Sequence, residues 1–181
     1  MYIFRLLNGL LDRLFIIASA FLFNQIPAFM LQYMQRLSGH IDELKNLVTE
    51  LNKIAYANGK TLDQYIQKFL KSSESDILQQ GQFIQSIQFR LSDFSQALAH
   101  LQESSVLTRP FIFFKDIDYN IAKSTFTSFQ SSISLTLEGF YYTLVGILFG
   151  YLFYRVLSKS VESIYLCIFK KIKRRKANAS S

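Results

Sequence analysis

The stretch SLTLEGFYYTLVGILFGYLFYRVL, residues 134–157, decides the fold class because it is apolar enough to cross a lipid bilayer. A membrane-spanning helix needs about 20 predominantly apolar residues. We therefore predict a transmembrane helix over residues 135–157. Glu138 stands near its start, where a carboxylate at the membrane surface would cap the helix and face the positive end of its dipole. The alternative is an intramembrane acid, whose high cost would require a function.

The composition favours membrane helices over a soluble enzyme. Of 181 residues, 50% are hydrophobic and 18% are charged, and the mean hydropathy is +0.16. One cysteine and two histidines leave little material for a disulfide, a zinc site or a catalytic triad. His40 and Glu43 lie one helical turn apart, but no second pair of metal ligands accompanies them. We predict no enzyme activity, no metal, no cofactor and no small-molecule substrate.

A first span is predicted from the apolar run LFIIASAFLFNQIPAFML, residues 14–31. It carries Asn24 and Gln25 near its far end, together with Pro27, which should bend or break the helix. The small residues 18–20 (ASA) resemble a signal-peptide cleavage site, but the apolar character continues well beyond them, so we favour an uncleaved span. In an antiparallel arrangement of the two spans, Asn24 and Gln25 reach the level of Glu138 and are its expected partners.

The middle of the chain has two heptad patterns, which predict helices that pack on other helices. The expected seam residues are Met34, Leu37, Ile41, Leu44, Val48, Leu51 and Ala55, then Ile77, Gln80, Ile84, Ile87, Leu91, Phe94, Leu98 and Leu101. We expect an antiparallel hairpin, called here the stalk, with or without further pairing to a second copy or a partner helix.

A short helix is predicted at the tip of the stalk. The residues ANG at 57–59 favour a helix end, and Thr61 with Gln64 forms the pattern of a capping box. The apolar face of this short helix is the predicted partner face, and its residues are Leu62, Tyr65, Ile66 and Phe69.

The connector before the second span contains TRPFIFFKDIDYN, residues 108–120. Pro110 should interrupt the helix before it. The run Phe111–Phe114 is too short to span a membrane, so it either lies in the membrane interface or packs under the stalk. Asp118 is expected to cap a short helix that continues to Phe126.

Charge is concentrated at the C-terminal end. Residues 31–134 contain ten acids and ten bases, whereas the chain from Leu135 onward contains eight bases and two acids. Basic residues just after an apolar helix favour a cytoplasmic flank and contact with anionic lipid headgroups over binding of nucleic acid. The predicted headgroup residues are Lys170, Lys171, Lys173, Arg174, Arg175 and Lys176.

The second span also contains a GxxxG motif, Gly146 and Gly150, with Gly139 further back along the helix. Small residues at this spacing allow two helices to approach closely. The motif therefore either seats the first span against the second or pairs two copies of the chain.

Two segments resemble a bacterial membrane family known as domain of unknown function 2937. They are QIPAFMLQYMQRLSGHIDEL at residues 25–44 and IDYNIAKSTFTSFQSSISLTLEGFYYTLVGILFGYLF at residues 117–153. The residues that carry the resemblance are Gln25, Pro27, Phe29, Gln32, Tyr33, Gln35, Arg36, Leu37, Gly39 and His40, then Asp118, Ile121, Ala122, Thr125, Leu135, Thr136, Leu137, Glu138 and Gly139. The resemblance implies a membrane location and a two-span layout, and it implies no activity.

These observations predict an all-α membrane protein in five parts. They are a first span (1–31), the stalk (32–107), a connector (108–134), a second span (135–157) and a basic tail (158–181). We expect it in the bacterial cytoplasmic membrane, with both termini cytoplasmic and the stalk periplasmic. The expected function is a non-enzymatic scaffold or adaptor that contacts lipid and either a protein partner or a second copy. The alternative is a subunit of a transport or channel assembly that uses Glu138 with Asn24 and Gln25.

Overall fold

The computed structural model describes the backbone of residues 2–178 and the side chains of residues 10–160. Across that part of the chain the protein is all-α, as predicted, with no β-strand. The six helices are α1 (Tyr2–Ala57), α2 (Leu62–Leu70), α3 (Ser75–Glu103), α4 (Arg109–Asp116), α5 (Tyr119–Thr127) and α6 (Leu137–Asn178).

The chain divides into two compact units. The apolar unit consists of Met1–Ala28 with Ser131–Ser181, and the helical unit is Phe29–Gln130. Helices α1 and α6 contain windows whose mean hydropathies are 1.9 and 1.4, so both are long and apolar enough to cross a membrane. The windows are only 22% and 11% buried within the protein, which leaves most of these apolar side chains uncovered. This exposure favours contact with lipid over the role of a soluble core helix.

Pro27 does not break the first helix, so the break that was one of the two expected effects of this proline, a bend or a break, is wrong. Helix α1 runs without interruption through Pro27, which is buried together with its neighbour Ala28. A proline inside a helix removes one backbone hydrogen bond and crowds the carbonyl four residues earlier, at a cost of about 3 kcal/mol. We attribute the continuity to the packing of this buried turn, which outweighs a local loss of that size.

The GxxxG motif of the second apolar helix lies against α1 within the apolar unit. A Cβ atom added to Gly146 would lie 2.7 Å from the Ser19 carbonyl oxygen and 2.8 Å from the Phe23 Cβ. A Cβ atom on Gly150 would lie 2.8 Å from the Ser19 Oγ. Of the two alternatives for this motif, the structure therefore shows the contact within the chain.

The helical unit has a core where the end of α1 meets α2 and α3. Its buried members are Ala55, Leu62, Ile66 and Ile84, with Val48, Leu51, Tyr65 and Leu70 packed around them. These residues include seam positions of both heptad patterns. The unit also buries three further seam positions of α1, namely Leu37, Ile41 and Leu44. The heptad pattern thus correctly predicts which side of α1 is covered.

The ends of these helices follow the predicted capping chemistry. Gly59 has a φ of +65°. The Lys60 N–H donates to the Ala55 carbonyl and the Gly59 N–H donates to the Tyr56 carbonyl, as in a Schellman motif. Thr61 and Gln64 then form the complete capping box that opens α2.

One seam position was assigned wrongly. Gln80 is exposed, and the neighbouring Gly81 is buried in its place. A Cβ atom on Gly81 would lie 2.8 Å from the Phe69 Cβ and 3.1 Å from the Leu70 backbone nitrogen. Helix α2 approaches α3 so closely here that a glutamine cannot occupy the contact, which a heptad pattern by itself does not predict.

Arg109 links the end of α3 to the start of α4. Its Nε donates to the Leu101 carbonyl at 3.1 Å, and its Nη2 donates to the Ser104 carbonyl at 3.0 Å. The last carbonyls of a helix lack partners inside the helix, and a guanidinium is well suited to satisfy them. Pro110 stands in the first turn of α4, where its missing N–H has no cost. Asp118 caps α5 by accepting from the Ile121 N–H at 2.9 Å, as predicted.

Candidate functional site

Asn24 is a buried polar side chain of the apolar unit with several hydrogen bonds to residues 134–143. It is 6% exposed. Its Nδ2 lies 3.0 Å from the Thr143 hydroxyl, 3.2 Å from the Gly139 carbonyl and 3.3 Å from the Ser134 carbonyl. Its Oδ1 accepts from the Ser134 N–H at 2.9 Å. Through the nitrogen and the oxygen of its side-chain amide, Asn24 thus links α1 to Ser134 and to the first turns of α6.

Gln25 binds the chain just before α6 in the same way. Its Nε2 donates to the Ser132 carbonyl and its Oε1 accepts from the Ser132 N–H, both at 3.3 Å. The Nε2 also donates to the Phe21 carbonyl at 3.3 Å, within its own helix. The side-chain amide of Gln25 therefore acts like a peptide group of a neighbouring β-strand, because it offers one donor and one acceptor to a single residue.

Gln32 makes a third pair of this kind, within the helical unit. Its Nε2 donates to the Gln130 carbonyl at 2.8 Å, and its Oε1 accepts from the Gln130 N–H at 3.2 Å. Within the apolar unit, the two bound residues are Ser132 and Ser134. We call residues 131–136 the amide-bound connector, because the side-chain amides of Gln25 and Asn24 bind its backbone groups.

Helix α6 begins two residues later than predicted, and its cap is a threonine. The Gly139 N–H donates to the Thr136 Oγ1 at 3.1 Å, the usual contact of an N-cap residue with the third residue of its helix. Glu138 lies in the first turn and is half-buried. Its predicted position near the helix start is confirmed, but the capping oxygen is that of Thr136.

The amides of Asn24 and Gln25 were expected to meet the Glu138 carboxylate. The structure places Asn24 at the predicted level of α6, since it bonds to Gly139. The hydrogen bonds described above, however, go to the backbone of residues 132, 134 and 139 and to the Thr143 hydroxyl. The reason is that the backbone before a helix start has unpaired N–H and carbonyl groups, and these groups need partners in an apolar environment.

Tyr33 organises the part of the helical unit that contains α4 and α5. It is fully buried, and its ring packs edge-to-face on Phe113 at a centroid distance of 5.0 Å. Its hydroxyl accepts from the Asp118 N–H at 2.9 Å. Burial raises the pKa of the Tyr33 phenol above its ordinary value. Tyr33 lies beyond the apolar run 14–31.

A shallow cleft of about 350 Å³ lies between the ends of α3 and α4. It is lined by His100, Glu103, Ser104, Ile112, Lys115 and Asp116. The His100 Nδ1 is 2.8 Å from the Asp116 Oδ2, so the two side chains tie α3 to α4. In the part of the chain whose side chains are described, no group of three histidine, cysteine, aspartate or glutamate residues could hold a metal ion.

The predicted partner face on α2 needs a correction. Leu62 and Ile66 are 5% and 2% exposed and belong to the core, so they are not available to a partner in this structure. An apolar stripe on a short helix is used first to cover the helix's own domain, because an isolated helix of this length is not stable. Tyr65 and Phe69 are half-buried and pack on each other at a centroid distance of 4.8 Å. The predicted headgroup residues at 170–176 lie outside the residues whose side chains the structure describes.

Two groups of site residues were not identified as such from the sequence. The first is Gln32, which lies seven residues after Gln25 and hence on the same helix face; both belong to the motif quoted from residues 25–44. The second group consists of the hydrogen-bond partners of the Asn24 and Gln25 amides, which are Ser132, Ser134, Gly139 and Thr143. No local pattern marks these acceptors, since they contribute mostly backbone.

The fold and this site define an all-α protein with two helices capable of crossing a membrane, whose polar residues bind the connector before the second of them. The model of the family described as protein of unknown function DUF2937 matches residues 7–165. The chain therefore belongs to that family, and the resemblance noted from its motifs is confirmed. No curated protein and no solved structure matches this chain.

Proposed function

We propose that this protein is a two-span scaffold of the bacterial cytoplasmic membrane that presents its helical unit on the periplasmic side to a protein partner. In this proposal α1 and α6 cross the membrane, both termini are cytoplasmic, and α1 and α3 form the antiparallel stalk with α2 at its tip.

The observation that carries this proposal is the way the polar groups of the first span are used. The Asn24 and Gln25 amides hydrogen-bond to the connector and to the start of α6. A transport path would need such groups to face a permeating ion or substrate. Amides that hold the chain together instead support a structural role, which is the reason to prefer the scaffold over the transport subunit.

The proposed partner surface is on α3. Leu62 and Ile66 of α2 are in the core and are not available to a partner. On α3, the large aromatic side chains that remain uncovered include Phe83 and Phe89, which are 65% and 61% exposed. Exposed aromatic residues are frequent anchors of protein interfaces. They are six residues apart and therefore lie on different sides of α3, so we take each phenylalanine as a separate anchor for the partner.

The partner surface is tested by photocrosslinking in living cells. A benzophenone-bearing phenylalanine at Phe83 or Phe89 should give one discrete adduct, whose mass identifies the partner or a second copy. The matched control is Gln96, an exposed polar residue of the same helix. Adducts of equal yield at Gln96, or none at Phe83 and Phe89, would count against a scaffold with this surface.

The proposed orientation is tested by thiol labelling. Ser73 and Ser160 are both exposed, and they lie beside α2 and at the end of the apolar part of α6 respectively. Each is changed to cysteine in a Cys167→Ser background and treated in intact cells with a reagent that does not cross the inner membrane. We expect Ser73→Cys to react in intact cells and Ser160→Cys to react only after lysis. The reverse pattern would place the helical unit in the cytoplasm.

A further inference from the structure

One face of helix α4 is buried against the helical unit, and another face is exposed. Phe113 is 4% exposed and packs on Phe29 and Tyr33. Phe111 and Phe114, three residues apart and so on one face, are 77% and 75% exposed. The helix therefore has a packed side that fixes its position and an aromatic side that the helical unit does not cover.

Helix α5 has the same division. Ile121 and Thr125 are 5% and 2% exposed and form its packed side. Tyr119 and Phe126 are two turns apart on another side, and each is 75% exposed. Two consecutive short helices thus each leave a pair of aromatic side chains without cover in the chain.

The charges on these helices favour an anionic surface as the occupant. Lys115 and Lys123 are both exposed. The two acids of the segment are engaged within the helical unit, because Asp116 pairs with His100 and Asp118 caps α5. The uncovered faces therefore combine aromatic rings with lysine ammonium groups, the composition of helices that lie in a membrane interface.

Helices α4 and α5 lie close in the sequence to α6, the second helix proposed to cross the membrane. We therefore take the lipid bilayer as the anionic surface. Only residues 128–136 separate the end of α5 from the start of α6. A chain of that length reaches at most about 35 Å even when fully extended. The connector itself leaves Ile133 and Leu135 exposed at 69% and 94%, so uncovered apolar side chains continue to the helix proposed to enter the membrane.

We propose that α4 and α5 dock on the outer surface of the membrane, with Phe111, Phe114, Tyr119 and Phe126 inserted among the lipids and Lys115 and Lys123 bound to anionic headgroups. This inference rests on the proposed membrane placement of α6. The docking gives the scaffold a second, lipid-dependent point of attachment.

The absence of tryptophan from the chain makes a direct test possible. Phe111→Trp and Phe126→Trp are prepared separately, and each full-length variant is reconstituted in vesicles of phosphatidylcholine and phosphatidylglycerol with brominated acyl chains. Bromine quenches tryptophan fluorescence only at short range. Leu148→Trp reports on an exposed position of α6, and Phe83→Trp reports on an exposed position of α3, at 62% and 65% exposure.

We expect the tryptophans at 111, 126 and 148 to lose most of their emission while the tryptophan at 83 retains nearly all of it. Quenching at 148 without quenching at 111 and 126 overturns the docking and leaves the membrane placement intact. Absence of quenching at 148 overturns both. Quenching at 83 as strong as at 111 also overturns the proposal, since the contact would not be specific to α4 and α5.

The lysines are tested in the same vesicles. Lys115→Gln combined with Lys123→Gln should weaken the quenching of the tryptophan at 111 when phosphatidylglycerol is present, and should have little effect in phosphatidylcholine alone. The part of the proposal that concerns charge is overturned if the double variant is quenched as strongly as its parent in the anionic vesicles.

Discussion

Gly146→Leu is expected to separate the two apolar helices and to lower the free energy of unfolding by about 3 kcal/mol. Even the first atom of the new side chain would lie 2.7 Å from the Ser19 carbonyl oxygen and 3.0 Å from the Ala20 Cα. Both of these atoms belong to the α1 backbone, which cannot rotate aside as a side chain can. The part of α1 that packs on α6 must therefore move away from it.

The measurement is unfolding of the purified protein in mixed micelles, followed by circular dichroism as a denaturing detergent is added. Gly150→Ala should have a smaller effect because alanine adds a single carbon atom, although that atom would lie 2.8 Å from the Ser19 Oγ, 2.9 Å from the Ser19 Cβ and 3.1 Å from the Ile16 Cα. Val145→Leu is the matched control, since Val145 is 51% exposed and should change stability by about 0.5 kcal/mol or less. If Gly146→Leu is as stable as Val145→Leu, the described contact between α1 and α6 is wrong.

Asn24→Leu is expected to destabilise the protein by about 2 kcal/mol, although leucine is far better suited to an apolar helix than asparagine. The substitution removes the acceptor of the Ser134 N–H and a donor to the Ser134 carbonyl. These backbone groups precede the first turn of α6 and have no helix bonds to replace the loss. The gain from burying leucine is therefore smaller than the cost of leaving them unpaired.

Gln25→Leu is the comparison for this variant, because Gln25 makes bonds of the same kind in a more exposed position. Water or lipid headgroups can replace part of what is lost there, so we expect a change below about 1 kcal/mol. The same micelle titration measures both variants. An Asn24→Leu protein that is more stable than the parent would show that the amide is not structural and would revive the transport alternative for this residue.

The class of the protein followed from residues near one another in the sequence. Two apolar runs of membrane length predicted the two long apolar helices, and the motifs at 25–44 and 117–153 correctly indicated the family. Local capping signals, such as Thr61 with Gln64 and Asp118 before α5, were also read correctly, because the hydrogen bonds involved join residues three apart.

Pairings between distant segments could not be read in this way. The seam position predicted for Gln80 shifted to Gly81, because α2 comes close to α3 there. Leu62 and Ile66 looked like a surface for a partner, and the structure places them in the core. In each case the apolar stripe predicts that a helix face packs against another part of a protein. Only the fold decides which part that is.

The polar residues of the first span illustrate the division best. The sequence by itself determined that Asn24 and Gln25 lie in an apolar helix, where polar side chains need partners, and that Glu138 stands at the start of another. Only the tertiary structure decided that the two amides bind the backbone of a connector more than a hundred residues away. The physical reason is that backbone groups are the same at every residue, so no side-chain pattern marks which of them a fold will leave in need of a partner.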